Sequence, residues 1–235
     1  MRGDFLRVFT KTTNVHRFRL SAEALQPVAD PWSTTTSEIY FDECSFTFLM
    51  SSNPPAEASI VGSRVIVWSK EEGARLYSSG FYGKPLNVNK PKGESEAIAY
   101  LELSLLEANY LLEKGIISIE KDGCAVMPQQ LLQLSRMQFR LFDELFTVYK
   151  DLRGKGYIVR PAMKFGADFA VYKYGPGIDH APFILHVLPG SAEIDPIEIV
   201  RAGRLSHTVR KKFVIATIDN IQKKVLYHMF MWWKA

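Results

Sequence analysis

Residues 157–188 read YIVRPAMKFGADFAVYKYGPGIDHAPFILHVL, and this stretch decides the fold of the second half of the chain. Its apolar and β-favouring runs predict three strands, at Tyr157–Arg160, Lys164–Tyr172 and Phe183–Leu188. The glycine- and proline-containing run at residues 175–179 predicts the loop between the last two strands. Such a loop would present His180 at the rim of a sheet.

Helices are predicted on both sides of these strands. The longest candidate, residues 128–153, carries two apolar stripes, which is typical of a helix packed between two layers. A second helix is predicted from about Pro196 to Thr208, followed by strands at Phe213–Ile218 and Val225–Trp232. Mixed strands between two helices predict a three-layer α/β domain with a mixed central sheet at residues 127–235.

A smaller mixed α/β domain is predicted at residues 58–126, which makes the chain α/β (α+β) as a whole. Its predicted elements are a strand at Ser63–Trp68, a short helix closed by Gly80, a helix whose apolar face runs from Leu101 to Leu112, and a strand near residues 116–120. Residues 1–57 are predicted to be an N-terminal extension of unclear role. Within the extension, Ile39–Met50 has the composition of a strand.

Bulk composition gives only a general class. The chain has 235 residues, 47% of them hydrophobic, a formal net charge of +4 and two cysteines far apart in sequence. No apolar run approaches the roughly 20 residues of a membrane-spanning helix, and the first residues are too polar for a signal peptide. These features predict a cytoplasmic protein with no membrane segment. The mild basicity is compatible with a polyanionic partner without identifying one.

Three residues could form an acid–base–cation set, because each lies at the edge of an apolar segment. They are Tyr172, His180 and Lys211. Histidine is the usual proton shuttle near neutral pH, but a loop histidine is more often a surface residue. Tyr172 is one of ten tyrosines. Asp168 has no neighbouring carboxylate in the sequence, so we expect a structural role for it and disfavour a two-metal nuclease.

Three motifs of the second half carry a resemblance to a known family. They are VYKDLRGKGYIVRPAMKFGADFAVY, HAPFILHVLP and RAGRLSHTVRKKFVIATID, at residues 148–172, 180–189 and 201–219. In order and spacing they resemble the catalytic domain of the archaeal-type tRNA-splicing endonucleases. FYGKP and LELSLLEANYLLEKG, at residues 81–85 and 101–115, resemble the family's N-terminal domain. The resemblance extends from about residue 60 to the C-terminus, with the motifs in the family's order.

This resemblance implies cleavage of precursor tRNA at bulge–helix–bulge junctions, without metal or cofactor, giving 2′,3′-cyclic phosphate and 5′-hydroxyl ends. Tyr172 would take the proton of the attacking 2′-hydroxyl, His180 would protonate the leaving 5′-oxygen, and Lys211 would stabilise charge on the phosphoryl oxygens. A phenol with a pKa near 10 is a poor base at pH 7. Either Lys211 lowers the pKa of Tyr172, or the tyrosine acts partly by positioning.

Further residues are assigned to RNA binding through the same resemblance. Arg204 matches an arginine that stacks on a base flipped out of the bulge. The partner on the other side of that base would be Tyr227, Trp232 or Trp233. For the two tryptophans, the alternative is a place in the core or in a subunit contact.

Assembly is where the sequence departs from the family. The loop after the IATID strand is acidic in the family, but here it reads DNIQKK at residues 219–224. A reversed charge at an interface costs several kcal/mol. We therefore expect an oligomer in which a second, non-catalytic subunit supplies the acidic loop, or in which residues 1–57 alter the assembly.

Two other functions compete with RNA cleavage by this chain. One is that of a non-catalytic structural subunit of the same complex, which would be expected to lack one of the three residues. The other is a metal-dependent DNA nuclease, which would need a cluster of carboxylates.

Overall fold

The protein is described from a computed structural model, in residues 5–10, 54–86, 99–190, 192, 195–219 and 224–233. All of these except Pro54 belong to one compact unit. The first described element is strand β1, Phe5–Thr10. The predicted strand at Ile39–Met50 lies outside the described residues.

The first half of this unit is built on a mixed sheet with three helices. In chain order the elements are β2 (Ala56–Val61), β3 (Arg64–Val67), α1 (Lys70–Gly80), β4 (Lys84–Pro85), β5 (Leu101–Leu103), α2 (Leu105–Glu113), β6 (Ile117–Lys121), β7 (Cys124–Ala125) and α3 (Pro128–Gln138). The described strands are ordered β4-β5-β3-β2-β6-β7, with β2 and β6 parallel and the other pairs antiparallel. The predicted small mixed α/β domain is confirmed.

The start of α2 is set by a capping box. The Ser104 hydroxyl accepts a hydrogen bond from the Glu107 N–H at 3.3 Å, and the Glu107 carboxylate accepts one from the Ser104 N–H at 3.0 Å. The prediction that the helical face begins at Leu101 is wrong, because Leu101 lies in β5. Leu101 is nonetheless buried in the same core as Leu105, which explains why the spacing suggested one helix.

The second half forms a three-layer domain, as predicted. Its elements are α4 (Phe142–Gly154), β8 (Ile158–Pro161), β9 (Phe169–Tyr172), β10 (Phe183–Leu188), α5 (Pro196–Thr208), β11 (Lys212–Ile218) and β12 (Val225–Trp233). The described strands are ordered β1-β12-β11-β10-β9-β8, with only β10 and β11 parallel among these pairs. Side chains of α4 pack on one face of the sheet and side chains of α5 on the other.

The predicted single helix at residues 128–153 is in fact two helices. Phe139 has extended backbone angles and ends α3, and α4 begins at Phe142. The intervening residues contain no glycine or proline, so no local signal marks the break. Leu131 of α3 packs only into the first core, whereas α4 contributes Phe142 and Phe146 to the first core and Val148 to the second. The two apolar stripes therefore reflect the position of α4 between the two cores, as expected for a helix with two apolar sides.

The strand predicted at Lys164–Tyr172 is shorter than expected. A 3-10 turn occupies Met163–Phe165, and Gly166 follows it with φ of 61°, a conformation that glycine adopts readily. The turn is closed by a hydrogen bond from the Ala162 N–H to the Asp168 carbonyl at 3.0 Å. The strand therefore begins only at Phe169.

Strand β1 is a finding that the sequence did not predict. It pairs antiparallel with β12 over six residues, from Phe5 opposite Trp233 to Thr10 opposite His228. As a result β12 has a strand on each side, and part of the N-terminal extension belongs to the sheet of the second domain.

Candidate active site

The sheet topology brings Tyr172, His180 and Lys211 to one edge. Tyr172 is the last residue of β9, and the antiparallel β10 starts beside it, with Phe183 opposite Val171. Lys212, the first residue of the parallel β11, lies opposite Phe183. Because β9 ends where β10 and β11 begin, the residues that flank these strand ends lie near each other. The Lys211 Nζ donates a hydrogen bond to the carbonyl of Ala181 at 2.7 Å, next to His180.

Tyr172 is partly buried, and burial raises the pKa of its phenol above the ordinary value of 10. The positive charge of Arg160 opposes this effect, while the negative charge of Asp179 adds to it. Because the net shift of the Tyr172 pKa is upward, the free protein favours the second of the two alternatives, in which Tyr172 acts partly by positioning.

Lys211 shares an aromatic neighbour with a second lysine. The Nζ atoms of Lys211 and Lys164 lie 5.6 Å and 4.9 Å from the centroid of the Phe165 ring. Burial, and then the charge of Lys164, lower the pKa of Lys211. In the part of the chain that is described, no carboxylate lies within ion-pair distance of either ammonium group. This edge of the sheet thus carries positive charge suited to an anion such as a phosphate.

Two arginines of the second domain reach the segment that follows α1. The Arg160 Nη1 donates to the Phe81 carbonyl at 2.6 Å and to the Glu107 carboxylate at 3.1 Å. The Arg153 Nη1 donates to the Gly80 carbonyl at 2.8 Å, and its guanidinium lies 4.3 Å from the centroid of the Tyr82 ring. Neither arginine was predicted from the sequence. Arg160 is the one charged residue of strand β8, which was a signal, whereas Arg153 lies among the charged residues of α4 and gave none.

The residues proposed for base stacking do not all lie together. Arg204 is exposed on α5. Tyr227 packs with the core on the α4 face, where its hydroxyl donates to the Asp151 carboxylate at 2.5 Å. Tyr227 is therefore on the opposite face of the sheet from Arg204 and is a poor stacking partner for it. Trp232 and Trp233 are the last residues of β12, and their side chains lie outside the described part of the structure.

Asp168 has the structural role that the sequence suggested. Its carboxylate accepts a hydrogen bond from the Val187 N–H at 2.8 Å. The same oxygen lies 2.7 Å from the Nδ1 of His186, although the two are not aligned as a regular hydrogen bond. This close approach of the carboxylate favours the protonated form of the imidazole.

This pair predicts a pH-dependent contribution to stability. Asp168 raises the pKa of His186 above the ordinary value of 6.5, which outweighs the opposite effect of burial. Protonated His186 therefore stabilises the folded state, fully below pH 6.5, and this contribution is lost as the pH rises through the higher pKa of the folded state. We expect the difference in free energy of unfolding between the wild type and His186→Gln to shrink over that range. Denaturant titrations at several pH values measure it, and a difference independent of pH would contradict the assignment.

The described residues contain neither a membrane-spanning helix nor a metal-binding cluster. None of the described helices is long and apolar enough to cross a membrane. No group of three or more His, Cys, Asp or Glu side chains in the described ranges is arranged to hold a metal ion.

Both halves of the chain match models of one protein family. The family model for the catalytic C-terminal domain of tRNA intron endonucleases matches residues 142–226, and the model for their N-terminal domain matches residues 56–132. The chain belongs to the tRNA intron endonuclease family. The catalytic-domain match begins at the first residue of α4 and includes all three residues at the sheet edge.

Curated relatives in archaea support this membership. A tRNA-splicing endonuclease of Saccharolobus solfataricus is 45% identical over 179 residues, which cover 76% of this chain and 98% of the relative. The enzyme of Hyperthermus butylicus is 45% identical over 178 residues, covering 75% and 98%. One from Saccharolobus islandicus is 44% identical over 179 residues, covering 76% and 98%. About a quarter of this chain thus lies outside the match to each of these relatives.

Proposed function

We propose that this member of the tRNA intron endonuclease family cleaves precursor tRNA at bulge–helix–bulge exon–intron junctions, without a metal ion. The observation that carries the proposal is the convergence of Tyr172, His180 and Lys211 at one sheet edge, within the segment that the catalytic-domain model matches. The division into domains at 58–126 and 127–235, after an extension at 1–57, is part of the same proposal. So is a cytoplasmic location.

The chemistry is a transfer within the RNA backbone. The 2′-oxygen attacks the adjacent phosphorus, the bond from phosphorus to the 5′-oxygen breaks, and the products carry a 2′,3′-cyclic phosphate and a 5′-hydroxyl. His180 is exposed and provides the proton that the departing 5′-oxygen needs. In its phenolate form, Tyr172 receives the proton of the 2′-hydroxyl. Because burial raises the pKa of Tyr172, this form is scarce near neutral pH. The neutral phenol instead orients the 2′-hydroxyl by a hydrogen bond, and the proton of the 2′-hydroxyl then passes to solvent.

Lys211 supplies charge to the phosphoryl oxygens. Its ammonium group is anchored by the carbonyl of Ala181 and is not neutralised by a carboxylate among the described residues. A fixed cation near the developing charge is worth more at a partly buried site than in water. Lys164, near the same aromatic ring, adds to the positive potential that attracts the RNA backbone.

Substrate geometry and assembly complete the proposal. Arg204 stacks on a base displaced from the bulge, and Trp232 or Trp233 provides the other side of the stack. The active form is an oligomer, with a second, non-catalytic subunit contributing the acidic loop that this chain lacks. The corresponding loop of this chain is residues 219–224, of which residues 220–223 lie outside the described residues. The proposal of a second subunit is therefore supported by the charges in the sequence of this loop, DNIQKK.

Replacing Tyr172 by phenylalanine tests the proposal while preserving the ring and its packing. We expect the cleavage rate of an intron-containing precursor tRNA in EDTA to fall by about 10²- to 10⁴-fold, because the variant can neither accept the proton nor orient the 2′-hydroxyl. The rate is measured in single-turnover reactions, with the purified chain alone and with the non-catalytic subunit added.

The same assay distinguishes the alternatives. Tyr172→Phe cleaving at the wild-type rate, while correctly folded, would exclude the proposed role of the phenol. A folded wild-type chain that cleaves alone would contradict the need for a second subunit. If cleavage requires another subunit and that subunit carries the catalytic residues, with this chain needed only for assembly, the structural-subunit alternative would be favoured.

A further inference from the structure

The loop between Tyr172 and His180 is closed from within by one carboxylate. Asp179 accepts hydrogen bonds from three successive backbone N–H groups, those of Lys173 at 3.1 Å, Tyr174 at 3.2 Å and Gly175 at 2.8 Å. The N–H of Asp179 donates back to the Gly175 carbonyl at 3.0 Å. Hydrogen bonds to a charged acceptor are stronger than neutral ones. The loop is therefore fixed at both of its ends, one residue from Tyr172 and one residue from His180.

The same loop is held from outside by the first domain. The ring of Phe81 packs so closely against Gly175 that a Cβ atom at this position would overlap it. Gly175 is buried and has φ of 130°, which disfavours any residue with a side chain. Phe81 itself is fixed by two contacts. The centroids of the Phe81 and Tyr77 rings lie 5.4 Å apart in an edge-to-face arrangement, and the Phe81 carbonyl accepts a hydrogen bond from Arg160 at 2.6 Å.

The backbone at Phe81 is fixed by the end of α1. Phe81 follows the helix with φ of 54°, in the left-handed region that commonly ends helices, and its N–H donates to the Tyr77 carbonyl at 2.6 Å. This cap conformation holds the residue whose ring packs against the loop between Tyr172 and His180.

We propose that Asp179 and Phe81 are positioning residues for RNA cleavage, which together hold the 173–179 loop so that His180 and Tyr172 keep a fixed separation. The inference rests on the proposed function and gives the N-terminal domain a part in the active site. Neither side chain needs to touch the RNA. A shift of about 1 Å in a catalytic group can cost about a hundredfold in rate, so loss of either contact lowers turnover more than it lowers substrate binding.

The test uses Asp179→Asn, Asp179→Ala and Phe81→Ala in the full chain. Asparagine keeps one of the two acceptor oxygens, so we expect kcat to fall in the order wild type, Asn, Ala, by about 10-fold and 100-fold, with KM within about threefold of wild type. Amide hydrogen exchange at residues 173–175 should become faster in the same order. In Phe81→Ala combined with Asp179→Asn, the loss in kcat should be smaller than the product of the single losses, because both residues hold one loop.

Asp143→Asn is the matched control, because Asp143 forms an exposed ion pair with Arg136 at 2.9 Å. This variant should leave both kcat and the hydrogen exchange at residues 173–175 unchanged. Unchanged hydrogen exchange at residues 173–175 in Asp179→Ala would show that Asp179 does not hold the loop. Faster exchange with wild-type kcat, or a rise in KM alone, would overturn the positioning role. If the wild type fails to cleave precursor tRNA both alone and with the non-catalytic subunit added, the proposed function fails, whereas the exchange measurement still decides whether the two residues hold the loop.

Discussion

Replacing His180 by alanine is expected to reduce cleavage of precursor tRNA by about 10²- to 10⁴-fold, the usual contribution of a positioned acid or base. The variant leaves the departing 5′-oxygen without its proton donor. Because His180 is exposed, the loss of its side chain should not disturb the core, so the expected effect is on the rate and not on folding. The measurement is cleavage in EDTA, with the product ends analysed for 2′,3′-cyclic phosphate.

A second histidine provides the control for this experiment. His186 lies on β10 beside Asp168 and has no part in the proposed chemistry, so His186→Ala should retain cleavage. Equal rates for wild type and His180→Ala would exclude His180 as the acid. Cleavage that appears only with added Mg²⁺ would contradict the metal-independent mechanism.

Replacing Glu107 by alanine is expected to lower the free energy of unfolding by about 3–5 kcal/mol, as for a broken buried ion pair. Glu107 is only 3% exposed. One carboxylate oxygen accepts from the Gly83 N–H at 3.0 Å and from Arg160 at 3.1 Å. The other accepts from the N–H and the hydroxyl of Ser104 at 3.0 Å and 2.8 Å. The substitution leaves a cation and two backbone groups without their acceptor and removes half of the cap of α2.

The exposed ion pair between Lys150 and Glu113, at 3.3 Å, is the matched control. Since both of its side chains are more than 40% exposed, Glu113→Ala should change the free energy of unfolding by less than about 1 kcal/mol. Denaturant titration of both variants gives the comparison. Similar losses for the two variants would show that Glu107 is not the structural link that its contacts indicate.

Much of the secondary structure followed from local pattern. Strand β10, helix α1 and the strands near the C-terminus lie close to where apolar runs, caps and glycines predicted them. The errors occur where packing overrides local preference. Residues 139–141 interrupt the predicted long helix without a breaker, and Leu101 lies in a strand although its spacing fits a helix.

The candidate site shows the same division. Motif order singled out Tyr172, His180 and Lys211, and the strand topology brings their strand ends to one edge. Nothing local pointed to Phe81 or Arg160 as neighbours of this edge. Arg160 and Phe81 are 79 positions apart in sequence. The structural role of each residue depends on its hydrogen bond with the other, which no local pattern predicts.

The fold class, the family and the three candidate catalytic residues could thus be predicted from the sequence, because periodicity, caps and motif order are local properties of the chain. Three features became visible only in the folded structure: β1 pairs with β12, Tyr227 lies on the face opposite Arg204, and the first domain holds the loop before His180. These are contacts between distant segments. Their energies come from burial and hydrogen bonding between partners that no local pattern identifies.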